Sequence, residues 1–206
     1  MFDRVRDSLF GKKKEEPVKI RVTETPADLQ RGDVIVFWEG GDAVVTATLD
    51  CWENLGGRQT TWRWLFLGSG AMLETAAGAT TIYERSETIH QGTLAFQRLT
   101  GSPEQEGVLQ AFEARVRDGT STTDPAVFRM DDRAYRVQST GTFLATRTGP
   151  LDLDVWRDIS TEEGQNVYFR MQSSEGEAVL GVWTAHIALL TGRPLLGSEI
   201  KGLYGA

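Results

Sequence analysis

The feature that constrains the fold most is residues 61–75, TWRWLFLGSGAMLET, where two apolar runs flank a tripeptide of glycine and serine. Gly68, Ser69 and Gly70 favour a tight turn, because glycine adopts backbone conformations that other residues avoid. Apolar runs of this length on both sides of such a turn are typical of a β-hairpin. The sequence therefore predicts a hairpin here, around which further strands assemble.

The first strand of this hairpin is expected to be buried on both faces. Side chains alternate across a strand, so two sets of residues face opposite ways. They are Trp62, Trp64 and Phe66 on one face, and Arg63, Leu65 and Leu67 on the other. Burial stabilises a fold by roughly 25 cal/mol per Å² of apolar surface, so the aromatic face contributes strongly to a core. We interpret it as packing and assign it no chemistry.

The rest of the chain predicts a mainly β, β-rich α+β fold. Short apolar runs separated by glycine turns recur on both sides of the hairpin, and residues 93–99 are expected to extend its sheet. One helix is predicted over residues 102–117, because Ser102 is a suitable N-cap, Pro103 suits the first helical position and Gln105 completes a capping box. The expected architecture is two small antiparallel β-barrel-like, SH3-like modules bridged by one α-helix.

These elements divide the chain into five segments. The predicted boundaries are 1–19 for an N-terminal tail, 20–100 for the first β-module, 101–119 for the bridging helix, 120–197 for the second β-module and 198–206 for a C-terminal tail. The modules share a similar spacing of apolar residues, carried by Trp62, Leu73 and Ile82 in the first and by Tyr168, Val179 and Ile187 in the second. A duplication of one module and a coincidental alignment of apolar strands both account for it.

Composition excludes several classes of protein. The net charge of the 206 residues is −7, which argues against a nucleic-acid partner. No lysine occurs between residues 20 and 200, which excludes a Schiff-base or P-loop lysine there. Cys51 is the only cysteine, so multi-cysteine metal sites are excluded and packing is its expected role. No run of about 18 apolar residues and no signal segment is evident, so a cytoplasmic location is expected.

The N-terminal tail differs in charge from the remainder of the chain. Residues 1–19 hold six basic and four acidic residues, a net charge of +2, which leaves −9 for the rest. Apolar residues at near-helical spacing precede a basic cluster, which indicates a short amphipathic helix. The candidate contacts with an anionic membrane surface or a partner groove are Phe2, Val5, Leu9, Phe10, Lys12, Lys13 and Lys14. A solvated tail is the alternative, because so short a helix rarely forms alone.

No catalytic residue, cofactor site or metal site is assigned from the sequence. His90 and His186 are the only histidines, and neither has a histidine or cysteine near it along the chain, whereas metal sites usually need three or four ligands. Asp152, Asp154 and Asp158 supply clustered oxygens for a hard cation or a polyamine. A solvated acidic loop is the alternative, because the spacing is not that of an EF-hand.

Several short motifs occur in an order that resembles a known family. They are residues 29–35, the strand with Val44 and Val45, TWRWLFL, MLET, AVFRMDDRAYRVQSTGTF, the loop at Gly149 and Pro150, VYFRM and EGEAVLGVW. Over residues 29–194 this order resembles the bacterial domain-of-unknown-function family 4178 (DUF4178). That family tends to have an acidic residue where Arg63 stands. The resemblance implies a β-rich bacterial cytoplasmic protein, similar to ones encoded near phage-shock-type membrane-remodelling proteins, polyamine-synthase-like proteins and ATP-grasp ligases. It provides no catalytic residues.

Two functions are compatible with these observations. The leading expectation is a non-enzymatic binding or adaptor protein in a bacterial membrane-stress or envelope-maintenance system. Its partners would be proteins such as phage-shock-type membrane-remodelling proteins, and its tail would contact the inner face of the membrane. The alternative is a polyamine- or cation-binding protein, or an enzyme, that uses the acidic loop between the two modules. Neither function calls for a cofactor.

Overall fold

The computed structural model describes residues 21–119, 126–151, 156, 159 and 166–205. The strands in this part of the chain are β1 (Arg21–Val22), β2 (Val34–Phe37), β3 (Asp42–Leu55), β4 (Arg58–Leu67), β5 (Met72–Ala76), β6 (Ala79–Ile89), β7 (Val127–Met130), β8 (Arg133–Thr148), β9 (Asn166–Ser173), β10 (Ala178–Trp183), β11 (Ile187–Pro194) and β12 (Ile200–Gly205). The helices are α1 (Leu94–Thr100) and α2 (Val108–Arg117), with short 3₁₀-helices at Pro26–Asp28 and Gly197–Glu199.

Eight of these strands close into one antiparallel barrel. Around the barrel the order is β3, β4, β5, β6, β11, β10, β9 and β8, and β8 pairs back with β3. The closing seam aligns Cys51 with Ala145 and Asp50 with Thr146. The predicted mainly β fold and the central β4–β5 hairpin are therefore confirmed.

The two predicted modules share this barrel instead of forming two barrels. Each supplies four consecutive strands, β3–β6 from the first and β8–β11 from the second. The outer strands of one half pair with those of the other, β3 with β8 and β6 with β11, so neither half keeps a free edge at these positions. Such pairing satisfies backbone groups that would otherwise be exposed at sheet edges.

The equivalent strands of the two halves also agree in which side chains face inward. Trp62 and Tyr168 pack in the lumen, with ring centroids 5.3 Å apart. Leu73 and Val179 both face outward, into separate cores. An internal repeat remains a prediction, and this agreement favours it.

Aromatic side chains fill the lumen. Trp62, Trp64 and Phe66 project inward from β4, and Trp156 reaches the same core from the segment between β8 and β9. Ring centroids lie 5.1 Å apart for Trp64 and Phe143 and 5.0 Å apart for Phe66 and Trp156, in edge-to-face contacts. Such contacts add stability beyond the area they bury. The aromatic face is therefore packed core, as expected.

In the part of the chain that the structure describes, two further cores lie outside the barrel. The helices cover one side, where Leu99 of α1 and Leu109 of α2 pack with Phe169 of β9. A small sheet of β1, β12 and β2 covers the other side, where Ile35 packs with Leu65. The second face of β4 is thus buried too, which explains its almost wholly apolar sequence.

The helical region differs from the prediction of one helix over residues 102–117. Ser102 closes a tight turn instead, in which its backbone N–H donates to Gln105 O and its hydroxyl accepts from Gln105 N. Helix α2 begins after Gly107, whose N–H donates to the side chain of Gln110. A Cβ at Gly107 would lie 2.2 Å from the backbone nitrogen of Gly101, so glycine permits the close approach of the two helices.

Two other segments differ from the predictions. Residues 93–99 were expected to extend the sheet, but α1 lies there, because the Thr93 hydroxyl accepts from Phe96 N and caps a helix rich in leucine, alanine, glutamine and arginine. Residues 198–206 were expected to be a tail. Strand β12 lies there, pairs with β1 and β2, and buries Leu203 in the core under the small sheet.

Candidate functional site

A groove of about 800 Å³ runs along the outer face of strands β3 to β6. One wall is the segment 24–27, which enters the first 3₁₀-helix, and the other is the segment 194–197, which leaves β11. Residues from both ends of the chain therefore line it. A volume of several hundred Å³ with mixed apolar and polar lining is typical of small-molecule sites.

The floor of the groove is a polar row across three neighbouring strand pairs. Asp50 of β3 is aligned with Arg63 of β4, Arg63 with Thr75 of β5, and Thr75 with Thr80 of β6. Aligned residues of adjacent antiparallel strands present their side chains on the same face. The lumen side of the same strands is mainly aromatic and aliphatic, so the barrel wall separates this core from the polar floor of the groove.

Arg63 is held at the centre of this row. Its Nε lies 2.8 Å from Asp50 Oδ1, so the two side chains form an ion pair, but the N–H of Nε does not point at the oxygen well enough for a hydrogen bond. Its Nη1 donates a hydrogen bond to Ala27 O at 2.9 Å. The Arg63 side chain is 23% exposed, against 53% for Asp50. The guanidinium therefore lies deeper than its counter-ion and joins the floor to the wall.

The walls of the groove are mainly apolar. Pro26 and Ala27 form one side, and Pro194, Leu195 and Leu196 form the other. Leu196 is 59% exposed, although large aliphatic side chains are usually buried. An apolar wall beside a polar floor suits a ligand with an apolar body and one polar end.

A second polar cluster lies inside the barrel. Glu74 accepts hydrogen bonds from Trp64 Nε1 at 2.9 Å and from Arg170 Nη2 at 2.9 and 3.0 Å, while Arg170 Nη1 donates to the Tyr83 hydroxyl. Burial, and then the Glu74 charge, raise the pKa of Tyr83 to about 12. Every charged group of this cluster has a partner, which indicates a structural role.

Tyr168 links the same cluster to a second buried carboxylate. Its hydroxyl donates to Glu53 Oε2 at 2.8 Å, and the Arg170 guanidinium lies 5.8 Å from its ring centroid. Burial, and then the hydrogen bond to Glu53, raise the pKa of Tyr168 well above its ordinary value. A Cβ at Gly141 would lie 2.2 Å from Glu53 Oε1, so this carboxylate needs glycine on the neighbouring strand.

Cys51 is packed in the lumen, as expected. Burial, and then the charges of Asp50 and Glu74, raise the pKa of its thiol well above the ordinary value. A thiol is a weak nucleophile until it loses its proton. Cys51 is therefore suited to packing and poorly suited to covalent catalysis.

The structure brings together the two histidines that are distant in sequence. The ring centroids of His90 and His186 lie 5.1 Å apart, and His186 Nδ1 accepts a hydrogen bond from Gln91 N at 3.2 Å. Within the described residues, no group of three or more histidine, cysteine, aspartate or glutamate residues could hold a metal ion. The pair therefore lacks the further ligands that a metal site usually needs.

The predicted contact residues lie outside the described part of the chain. This applies to the membrane or partner contacts of the tail, Phe2, Val5, Leu9, Phe10, Lys12, Lys13 and Lys14, and to the acidic loop residues Asp152, Asp154 and Asp158. A smaller pocket of about 250 Å³ is lined by residues that include Pro150, Leu151 and Trp156, which are neighbours of these aspartates in the sequence. Both sets of contacts remain predictions.

Sequence reasoning missed the groove because four strands and two distant segments build it. One signal was present: Arg63 is the only charged residue in the run TWRWLFL, and alternation placed it on the face opposite to the aromatic core. Nothing in the sequence aligns Arg63 with Thr75 and Thr80, since that alignment depends on strand register.

Comparison of the chain with protein-family models, with curated proteins and with solved structures gives no match. Membership of DUF4178 therefore stays a prediction. No helix in the described residues has both the length and the apolar character needed to cross a membrane.

Proposed function

We propose that the chain is a non-enzymatic binding protein and that the groove on the outer face of β3 to β6 is its binding site. The observation that carries this proposal is the combination of about 800 Å³ of volume, apolar walls and a polar floor fixed by strand register. A β-barrel supports such a site well, because strand pairing fixes the positions of the floor residues before a ligand binds.

The chemistry of the lining favours binding over catalysis. Among the described residues, the titratable side chains on the groove face of the strands and walls are Glu24, Asp50 and Arg63, whereas the Cys51 side chain points into the lumen behind the floor. The thiol of Cys51 is kept protonated by burial, and Asp50 is engaged with Arg63. General acid–base or nucleophilic catalysis needs an activated group beside the reacting atom, and this set supplies recognition groups instead.

A bacterial membrane-stress or envelope-maintenance system is the setting we propose for this binding protein, on the strength of the family resemblance. In that setting the groove would hold a small molecule or part of a partner, and the basic N-terminal tail would supply a separate contact with a protein or an anionic surface. A polyamine- or cation-binding role for the acidic loop is the alternative proposal.

The groove can be tested with an uncharged fluorescent probe, N-phenyl-1-naphthylamine, whose emission rises in apolar surroundings. We expect the full chain to bind it, and Thr61→Trp, which places a large ring in the groove, to weaken binding at least tenfold, about 1.4 kcal/mol. Thr142→Trp is the matched control, because Thr142 is equally an exposed strand threonine but lies outside the groove. Absence of binding by the full chain, or equal binding by Thr61→Trp, would refute the proposal.

A further inference from the structure

Arg63 is the only cationic side chain that lines the groove within the described part of the chain. The other charged lining residues are Glu24 and Asp50, and both lie at more exposed positions than Arg63. A charge sheltered from water interacts more strongly with a ligand than one that solvent screens. The charge that dominates the floor is therefore positive, although the groove as a whole is lined by two acidic residues and one basic residue.

The hydrogen bonds of Arg63 leave donors for a ligand. A guanidinium has five N–H donors in a planar fork. Nη1 donates one of them to Ala27 O. The contact between Nε and Asp50 falls outside hydrogen-bond geometry, and no described residue accepts a hydrogen bond from Nη2. A planar fork with free donors matches the two oxygens of a carboxylate.

The surroundings of Arg63 fix its position and suit the rest of such a ligand. Ala27 O and Asp50 hold the guanidinium from two sides, so little side-chain freedom is lost when a ligand binds. Thr61, Thr75 and Thr80 add hydroxyl groups on the same floor, and the apolar wall at 194–197 lies beside it. One end of a ligand would thus meet donors while its body meets apolar side chains.

We propose that the groove binds a small, largely apolar molecule that carries one carboxylate, and that Arg63 receives this carboxylate. The inference rests on the proposed function, since it names the ligand class of the same groove. It makes Arg63 the residue that determines specificity, and Asp50 a neighbour that restrains the guanidinium and weakens its pull on anions.

The test is competition against bound N-phenyl-1-naphthylamine by three ten-carbon molecules that differ only at one end: decanoate, decanol and decylamine. We expect decanoate to displace the probe at concentrations about tenfold lower than decanol, the lower end of what a charge-assisted hydrogen bond contributes. Arg63→Gln should remove this preference, so that decanoate and decanol displace the probe at similar concentrations. Arg63→Lys should keep part of it, because the charge remains without the planar fork.

Asp50→Asn is expected to strengthen binding, a result that a misfolded variant would not give. It removes the negative neighbour and should make decanoate bind more tightly, about threefold or more, because the Arg63 charge is then uncompensated. Arg136→Gln is the matched control for the arginine variants, since Arg136 is an exposed arginine of β8 that lies outside the groove. It should leave all three competitors unchanged.

The outcomes separate this inference from the proposed function. Equal displacement by decanoate and decanol, a preference that survives Arg63→Gln, or tighter binding of decylamine would overturn the carboxylate inference while the groove remained a binding site. Failure of the full chain to bind N-phenyl-1-naphthylamine at all would refute the binding site itself, and the carboxylate inference with it.

Discussion

Buried Glu74 illustrates what individual residues contribute to this barrel. Its carboxylate accepts from Trp64 on its own half and from Arg170, which lies 96 positions later on the other half. A buried charge is costly unless it is paired and hydrogen-bonded, and this one is both. The sequence placed Glu74 in the central hairpin but did not predict its burial, because its partner comes from a distant strand.

The raised pKa of Tyr83 predicts that the stability of the fold depends on pH. Its pKa in the folded chain is raised to about 12, whereas an unperturbed tyrosine titrates near pH 10. Below pH 10 the phenol is neutral in both states, so stability is unaffected. Between about pH 10 and 12 only the unfolded state loses the proton, so the free energy of unfolding should fall by about 1.4 kcal/mol per pH unit from this group.

The measurement is urea unfolding of the full chain and of Tyr83→Phe at a series of pH values from 8 to about 12. At pH 8 the variant should be less stable by about 1 kcal/mol, because Arg170 loses a hydrogen-bond acceptor. Above pH 10 its stability should fall less steeply than that of the parent, although Tyr168 still contributes a decline. Parallel curves would contradict the raised pKa of Tyr83.

At the scale of single elements, strands were predicted better than helices. The alternation in TWRWLFL identified β4 and both of its faces, because period-two burial can be read directly from the chain. The sequence did not predict helix α1, because residues 94–100 are too few for the apolar pattern of a helix to differ from that of a strand. The start of α2 was misplaced because Ser102 has the side chain of an N-cap but closes a turn.

Close packing between elements predicts the effect of adding one methyl group to a strand. Gly181 of β10 lies opposite Phe169 of β9, and a Cβ at Gly181 would lie 2.0 Å from the Phe169 ring. Phe169 is fully buried under α1 and α2 and has little room to move. We expect Gly181→Ala to lower the free energy of unfolding by about 2 kcal/mol, within the range for overpacked cores.

Gly197→Ala is the control for this prediction, measured by the same urea unfolding. Nothing lies within 4 Å of a Cβ at Gly197, and its backbone does not require glycine. Its stability should change by less than about 0.5 kcal/mol. A Gly181→Ala variant as stable as Gly197→Ala would show that Phe169 is not packed against β10 as described.

For the whole molecule, the sequence predicted two β-rich halves but not their closure into one barrel. Each half was visible because its strands are joined by short turns with glycine signals. The closing pairs, β3 with β8 and β6 with β11, join residues about 100 positions apart, and local patterns carry no information about such pairs. The groove depends on this closure, because β6 and β11 meet where Thr81 aligns with Pro194.

The most direct test of the closed barrel uses the chain's single cysteine. Cys51 and Ala145 are aligned in the closing seam, and residues directly opposite each other in antiparallel strands have Cα atoms about 4.5 to 5.5 Å apart, within the range of a disulfide. Ala145→Cys should therefore refold with oxidised glutathione into a monomer with no free thiol. Ala134→Cys is the control, because Ala134 lies on the same strand opposite Arg129 of β7.

The account predicts that the Ala145→Cys monomer loses both thiols on refolding while the Ala134→Cys monomer keeps both. A folded Ala145→Cys monomer that retained two free thiols under these conditions would contradict the seam between β3 and β8, and with it the single barrel that unites the two halves.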